Sequence, residues 1–161
     1  MSTTLATKRF VFGDVGHFLA FGFGLGLTPK APGTAGTLAA IPLYWMTLPM
    51  PLFVSFIFAA LLFIVGVWLC GRTGKALGRH DDSGIVWDEI TAFYVVLLAM
   101  PADWRWLAAA FVLFRILDAA KPPPINWLDK KIGGGWGVMI DDMAAAAITI
   151  AVLLSGKMFL L

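Results

Sequence analysis

Five carboxylates and a few cations carry most of the chemistry that this sequence offers. Asp88 and Glu89 stand side by side in GIVWDEI, Asp141 and Asp142 in GGGWGVMIDD, and FRILDAAKPPP sets Arg115 and Asp118 three residues apart with Lys121 before a proline. Residues at i and i+3 share a helical face, so Arg115 and Asp118 are expected together. One acid at a helix N-terminus is explained by capping and the helix dipole. Five near one level are not, because like charges about 4 Å apart repel by roughly 4 kcal/mol per pair at an effective dielectric near 20. Either some of these carboxylates are protonated or a cation sits between them. With one cysteine and two histidines in the chain, an all-oxygen donor set favours a hard ion, Mg²⁺ first.

A second constellation is GLTPKAPGTAGT, residues 26–37, read as a loop leading into a helix from Thr37. Lys30, Thr34, Gly36 and Thr37 bring a charge, hydroxyls and free backbone N–H groups, the ingredients of a phosphate cradle, although the GK[ST] ending of a nucleotide-binding loop is missing. His80 and Asp81 in GRHDDSG are either a base with its orienting acid or part of a solvated loop. His17, on an apolar segment, reads as a hydrogen-bonded structural residue, and the lone Cys70 as a small buried hydrophobe.

These groups need elements to hold them, and the composition says which kind. Of 161 residues 60% are hydrophobic and 14% charged, with a mean hydropathy of +0.85; that balance marks an integral membrane protein with one domain over residues 1–161. The net charge of +2 and the lack of a basic run with interleaved aromatics exclude a nucleic-acid partner. Leu52 to Cys70 is 19 residues without a charge, about 28 Å of helix and close to the hydrocarbon thickness. The runs Thr37–Leu48, Ile90–Met100, Trp106–Phe114 and Met143–Leu154 are shorter.

Proline punctuation organises them. Pro49–Pro51 and Pro101–Asp103 each separate two apolar runs, giving two helical hairpins plus a final helix entered at Asp141–Asp142: an all-α bundle of about five core helices. Residues 14–27, apolar but rich in glycine, are expected as an N-terminal interfacial helix. The N-terminal segment is too poor in apolar residues for a signal peptide, so insertion is expected to rely on the internal spans. Polar segments 28–37, 71–89 and 115–142 then collect on one face, which holds ten of the 12 Lys and Arg residues and is expected to be cytoplasmic. Six tryptophans near span ends, Trp45, Trp87, Trp104, Trp106, Trp127 and Trp136, are expected to form interfacial belts.

GFGLGLTPKAPGTAGTLAAIP, HDDSGIVWDE, FRILDAAKPPPINWLD and GGGWGVMIDD resemble, in order and spacing, the motifs of the bacterial phosphatidylglycerophosphatase A family, from about Gly22 to Ala147. The resemblance implies an all-helical, Mg²⁺-dependent enzyme of the bacterial inner membrane. Such an enzyme hydrolyses the terminal phosphate of phosphatidylglycerophosphate to give phosphatidylglycerol. Carried over residue by residue, it implies metal binding by Asp88, Glu89, Asp141 and Asp142 and catalytic roles for Arg115, Asp118 and Lys121. Asp118 would orient Arg115 or activate water, while Lys30, Thr34, Gly36 and Thr37 would hold phosphate oxygens. Ala92 and Thr37 stand where the family pattern has glycine and serine.

Two competing readings use the same acids. An ion carrier or channel subunit would place them in a pathway, but the apolar runs have almost no polar residues through their middles. A phosphatidyltransferase would need its long D-x-x-x-D signature on one helix, which this sequence does not have.

Overall fold

The computed structural model describes residues 7–79 and 82–160, excepting the side chains of residues 129–130 and 158–160; the His80–Asp81 pair lies outside the described residues. Every regular element among them is helical: α1 (Lys8–Phe12), α2 (Val15–Ala20), a 3₁₀ turn (Leu25–Leu27), α3 (Pro32–Thr47), α4 (Leu52–Leu77), α5 (Trp87–Ala99), α6 (Trp104–Ala120), α7 (Ile125–Lys131) and α8 (Gly134–Leu160). Helices α3 and α4 turn about Pro49 and Pro51, and α5 and α6 about Pro101, as the proline punctuation requires. Asp103 stops the second turn cleanly by capping α6, its carboxylate accepting the Arg105 N–H at 2.7 Å.

The helices are longer than the apolar runs suggested, and the extra turns are the polar ones. Helix α3 begins at Pro32 rather than Thr37, because proline at the first position of a helix costs no hydrogen bond. Helix α4 continues past Cys70 to Leu77 and ends on Gly78 in the left-handed conformation (φ 69°). Helix α8 begins at Gly134, so Asp141 and Asp142 lie inside it and not at its start. The N-terminal region is two short helices and a 3₁₀ turn in place of one helix, and α7 is an element that the apolar periodicity did not disclose.

Helix α8 is the centre of the assembly, packed against α4, α5, α6 and α7, while α3 packs on α5. Small residues let it approach. A Cβ on Gly135 would lie 1.8 Å from the Val67 carbonyl oxygen, and one on Gly66 would lie 2.6 Å from Met139 Sδ, so α4 and α8 touch nearly backbone to backbone. Cys70 is buried here, its thiol 3.9 Å from Met139 Sδ. Trp87 is also buried, contrary to an interfacial role. Its indole N–H donates to the Leu62 carbonyl at 3.0 Å, tying the start of α5 to the middle of α4. Trp45, Trp104, Trp127 and Trp136 are exposed, as a belt requires.

The opposite side of α4 is bare: Phe53, Phe56, Ile57, Leu61, Ile64 and Trp68 are all at least half exposed. In water each would forgo about 1.5–3 kcal/mol of burial, so this is a surface suited to lipid. Helix α4, and α8 from Gly134 to Lys157, are long and apolar enough to cross a membrane.

The N-terminal segment is fastened to the end of α4 by polar contacts. Asp14 caps α2 through the His17 N–H at 3.1 Å and accepts two bonds from Arg72, each 2.7 Å. The Arg72 guanidinium, with the helix N–H group, holds the Asp14 carboxyl down at about 2. His17 is a structural residue, as the sequence suggested: it is buried against Thr73, with Nδ1 3.0 Å from the hydroxyl, and desolvation holds its pKa below the usual value.

Candidate active site

Helices α3 and α5 begin and α6 ends around one cavity of about 230 Å³, and α8 meets it about two turns into its length. Helix α5 contributes Asp88 and Glu89, α6 contributes Arg115 and Asp118, and α8 contributes Asp141 and Asp142, with Lys121 beside them. The hairpin arrangement thus brings every one of the seven proposed catalytic and metal residues to a single place.

Within it the carboxylates divide. One oxygen each from Asp88, Glu89 and Asp142 lie within 4.8 Å of one another. Glu89 Oε2 and Asp142 Oδ2 are buried without a hydrogen-bond partner, which is costly for an anionic oxygen unless something positive occupies the space between. At that spacing and an effective dielectric near 20, each ionised pair repels by about 3–4 kcal/mol. An all-oxygen, buried, crowded donor set fits a hard divalent cation.

Asp141 faces elsewhere. Adjacent residues on a helix point about 100° apart, and Asp141 turns to Lys121, whose Nζ lies 2.5 Å from its Oδ2. The sequence could not separate the two aspartates, and the structure gathers Asp142 with Asp88 and Glu89 while pairing Asp141 with a lysine. Lys121 reaches it from a left-handed backbone (φ 40°) at the end of α6, an unfavourable conformation for a residue with a Cβ, and doubly so before Pro122. Arg115 is held by Asp118 on its own helical face and lies 3.8 Å from Glu89 Oε1. The cavity lining therefore holds two cations, each paired with a carboxylate, beside the cluster of Asp88, Glu89 and Asp142.

The fourth wall is the start of α3, and here the expected phosphate loop is not as the sequence suggested. Ala31, Pro32 and Gly33 line the cavity. Thr34, Gly36 and Thr37 are already helical, Thr37 donates its hydroxyl to the Gly33 carbonyl at 2.8 Å, and Gly36 is packed on Val86. Lys30 is exposed beyond the cavity. Gly33 is the residue that sequence reasoning missed. The glycine-rich motif contained it, but only the fold shows Glu89 and Arg115 pressed against its Cα. Ser83, at the mouth, was likewise passed over; it sits in a turn made by Asp82, whose Oδ1 accepts the Gly84 N–H at 3.0 Å.

Buried carboxylates that crowd one point beside an arginine and a lysine, on an all-helical scaffold with two helices long and apolar enough to cross a membrane, define a class of site whose residues fit a divalent cation and a phosphate ester. Residues 18–156 match the family model described as Phosphatidylglycerophosphatase A, and the chain belongs to that family. It is 45% identical over 150 residues to Phosphatidylglycerophosphatase A of Escherichia coli, covering 92% of this chain and 87% of that one. Its counterpart in Haemophilus influenzae is 43% identical over 147 residues, 90% of each chain. A Bacteroides thetaiotaomicron protein named Putative phosphatidylinositol-3-phosphatase is 37% identical over 141 residues, covering 82% of this chain and 87% of the relative. No solved structure matches the chain.

Proposed function

We propose that the protein is a Mg²⁺-dependent phosphatidylglycerophosphatase of the bacterial inner membrane, releasing inorganic phosphate and phosphatidylglycerol for phospholipid biosynthesis. The observation that carries this reading is the cavity itself: three crowded carboxylates on α5 and α8 face Arg115 and Lys121 in a chain of the phosphatidylglycerophosphatase A family. Asp88, Glu89 and Asp142 would hold Mg²⁺, which when bound polarises a phosphoryl oxygen and acidifies a coordinated water.

The chain's own groups supply the rest. Arg115 offers a planar fork of N–H donors to the phosphoryl oxygens, strongest as charge builds in the transition state. Asp118 keeps that fork aimed, since the two are paired on one helical face. Lys121, fixed by Asp141, places a second cation at the rim. Hydrolysis forms one P–O bond to water and breaks the P–O bond to glycerol, and the proton released by water passes to the departing alkoxide.

The five longer helices α3, α4, α5, α6 and α8 form the integral bundle in this reading, with the cavity on the cytoplasmic side. An ion pathway would need polar groups through the bundle. The buried face of α4 across its middle, Leu62, Gly66, Leu69 and Cys70, is apolar or small. Purified protein in detergent micelles should release phosphate from phosphatidylglycerophosphate, stop on exhaustive chelation and recover with Mg²⁺. No release from that lipid under any metal condition would overturn the function, and full activity after chelation would overturn the metal requirement.

A further inference from the structure

Pro32 and Ser83 each have two sides. One lines the cavity just described, and the other lines a second and larger cavity of about 490 Å³. The remaining lining of this neighbour includes Arg79, Asp82, Phe21, Thr28 and Pro29. Nothing in the reaction described so far uses it.

Its charged wall is asymmetric. Asp82 is turned inward, with 7% of its side chain exposed, and is occupied with the Gly84 N–H. Arg79 holds Asp82 through Nη1 at 3.0 Å yet keeps 48% of its side chain exposed. A guanidinium carries five N–H donors in a rigid fork, so the face that Arg79 turns to the cavity is suited to a phosphate-type oxygen pair. The segment of residues 21–29 also contributes to its lining, through Phe21, Leu27, Thr28 and Pro29, and exposes Phe23 and Leu25.

The substrate read for the first cavity has a complementary layout. Its phosphomonoester and its phosphodiester sit at the two ends of one three-carbon glycerol. With the monoester between Arg115 and Lys121, the glycerol leaves across Pro32 and Ser83, and the diester arrives in the second cavity. We propose that this second cavity binds the phosphodiester of the lipid through Arg79, which makes Arg79 a specificity determinant for phosphomonoesters that carry a diester one glycerol away. The acyl chains then depart along the apolar surface at Phe23 and Leu25. This inference rests on the phosphatidylglycerophosphatase reading.

The test compares two lipids in the same detergent micelles, using the full chain. Phosphatidylglycerophosphate has both phosphates, whereas phosphatidic acid has the monoester without the diester. Arg79→Gln should lower kcat/KM for the first about tenfold, mainly through KM, equivalent to roughly 1.4 kcal/mol, and leave the second unchanged. Arg79→Lys, which keeps the charge and loses the fork, should restore only part of the loss. As an arm independent of phosphatidic acid turnover, inhibition by phosphatidylglycerol, a diester without the monoester, should weaken about tenfold in Arg79→Gln. Equal losses on both substrates, or no change in either KM or the inhibition, would overturn the assignment of Arg79. Failure of the wild-type protein to hydrolyse phosphatidylglycerophosphate would instead strike the underlying function.

Discussion

Lys121 Nζ lies 2.5 Å from Asp141 Oδ2, joining the end of α6 to the interior of α8. The aspartate side chain is 3% exposed and the lysine 27%, so removing the lysine strands a buried charge. Removing one partner of a fully buried pair costs about 3–5 kcal/mol, and the partial exposure of Lys121 reduces this to roughly 1–3 kcal/mol. Lys121→Ala should therefore lower the melting temperature in detergent as well as raise KM. Lys121→Ala with Asp141→Asn should be less destabilised than the two single changes summed. Strict additivity would show that the pair contributes no coupling.

The three clustered carboxylates, Asp88, Glu89 and Asp142, should behave in the opposite way. Asp142→Asn or Glu89→Gln removes repulsion from the cluster, so the metal-free variant should melt higher than metal-free wild type. Turnover should nevertheless fall by roughly 100-fold or more, the scale on which loss of one transition-state charge contact acts. Mg²⁺ should raise the melting temperature of wild type and do so much less in either variant. Phosphate release and melting curves on the same samples check both halves, and wild-type turnover in either variant would remove these residues from the site.

Gly33→Ala tests the wall that sequence reasoning overlooked. Alanine is favoured over glycine in a helix by about 0.8–1.0 kcal/mol, so α3 by itself should gain. The new Cβ, however, would stand 2.2 Å from Glu89 Oε1 and 3.1 Å from the Arg115 guanidinium nitrogens. Displacing both should cut kcat by about tenfold or more, since small misplacements of catalytic groups are costly. A variant as active as wild type would show that the wall yields.

The Asp14–Arg72 pair should mark stability at low pH and leave catalysis alone. Asp14 titrates near 2 in the folded protein against 3.8 as its reference, so the folded state favours its ionised form. That contribution is complete above about 3.8 and is lost as pH falls toward 2. Unfolding measured between pH 5 and 2 should be less pH-sensitive in Asp14→Asn, with turnover at neutral pH near wild type. An unchanged pH profile would show that the pair is not linked to folding.

Topology follows from charge. Lys30 and Arg79 should label from the cytoplasm, and Asp103 and Lys157 from the other side, when each is replaced singly by cysteine in a Cys70→Ser background. Labelling of position 30 from outside intact cells would invert the arrangement.

The sequence disclosed the plan of the fold more readily than its joints. Proline punctuation located both hairpins, and equal spacing about the second turn brought Asp88–Glu89 level with Arg115. Helix starts were hidden because PGTAGT and GGGWG have loop-like local propensities, which tertiary packing overrides. The glycines there serve close approach, Gly36 against Val86 and Gly135 against Val67, and no local pattern announces a partner so distant in sequence. Trp87 misled for the same reason: an indole near a span end suits an interface until the Leu62 carbonyl is known to accept from it.

Gly135 and Asp142 ride on the same uninterrupted helix, seven residues or about 10 Å apart. The glycine seats that helix against Val67, so it sets the height at which the carboxylate meets Asp88 and Glu89. A methyl group at position 135 would push the whole rod outward and carry Asp142 with it, spoiling a cluster that it never touches. The carboxylate cluster is thus calibrated from outside itself, by the thinness of one contact between two backbones.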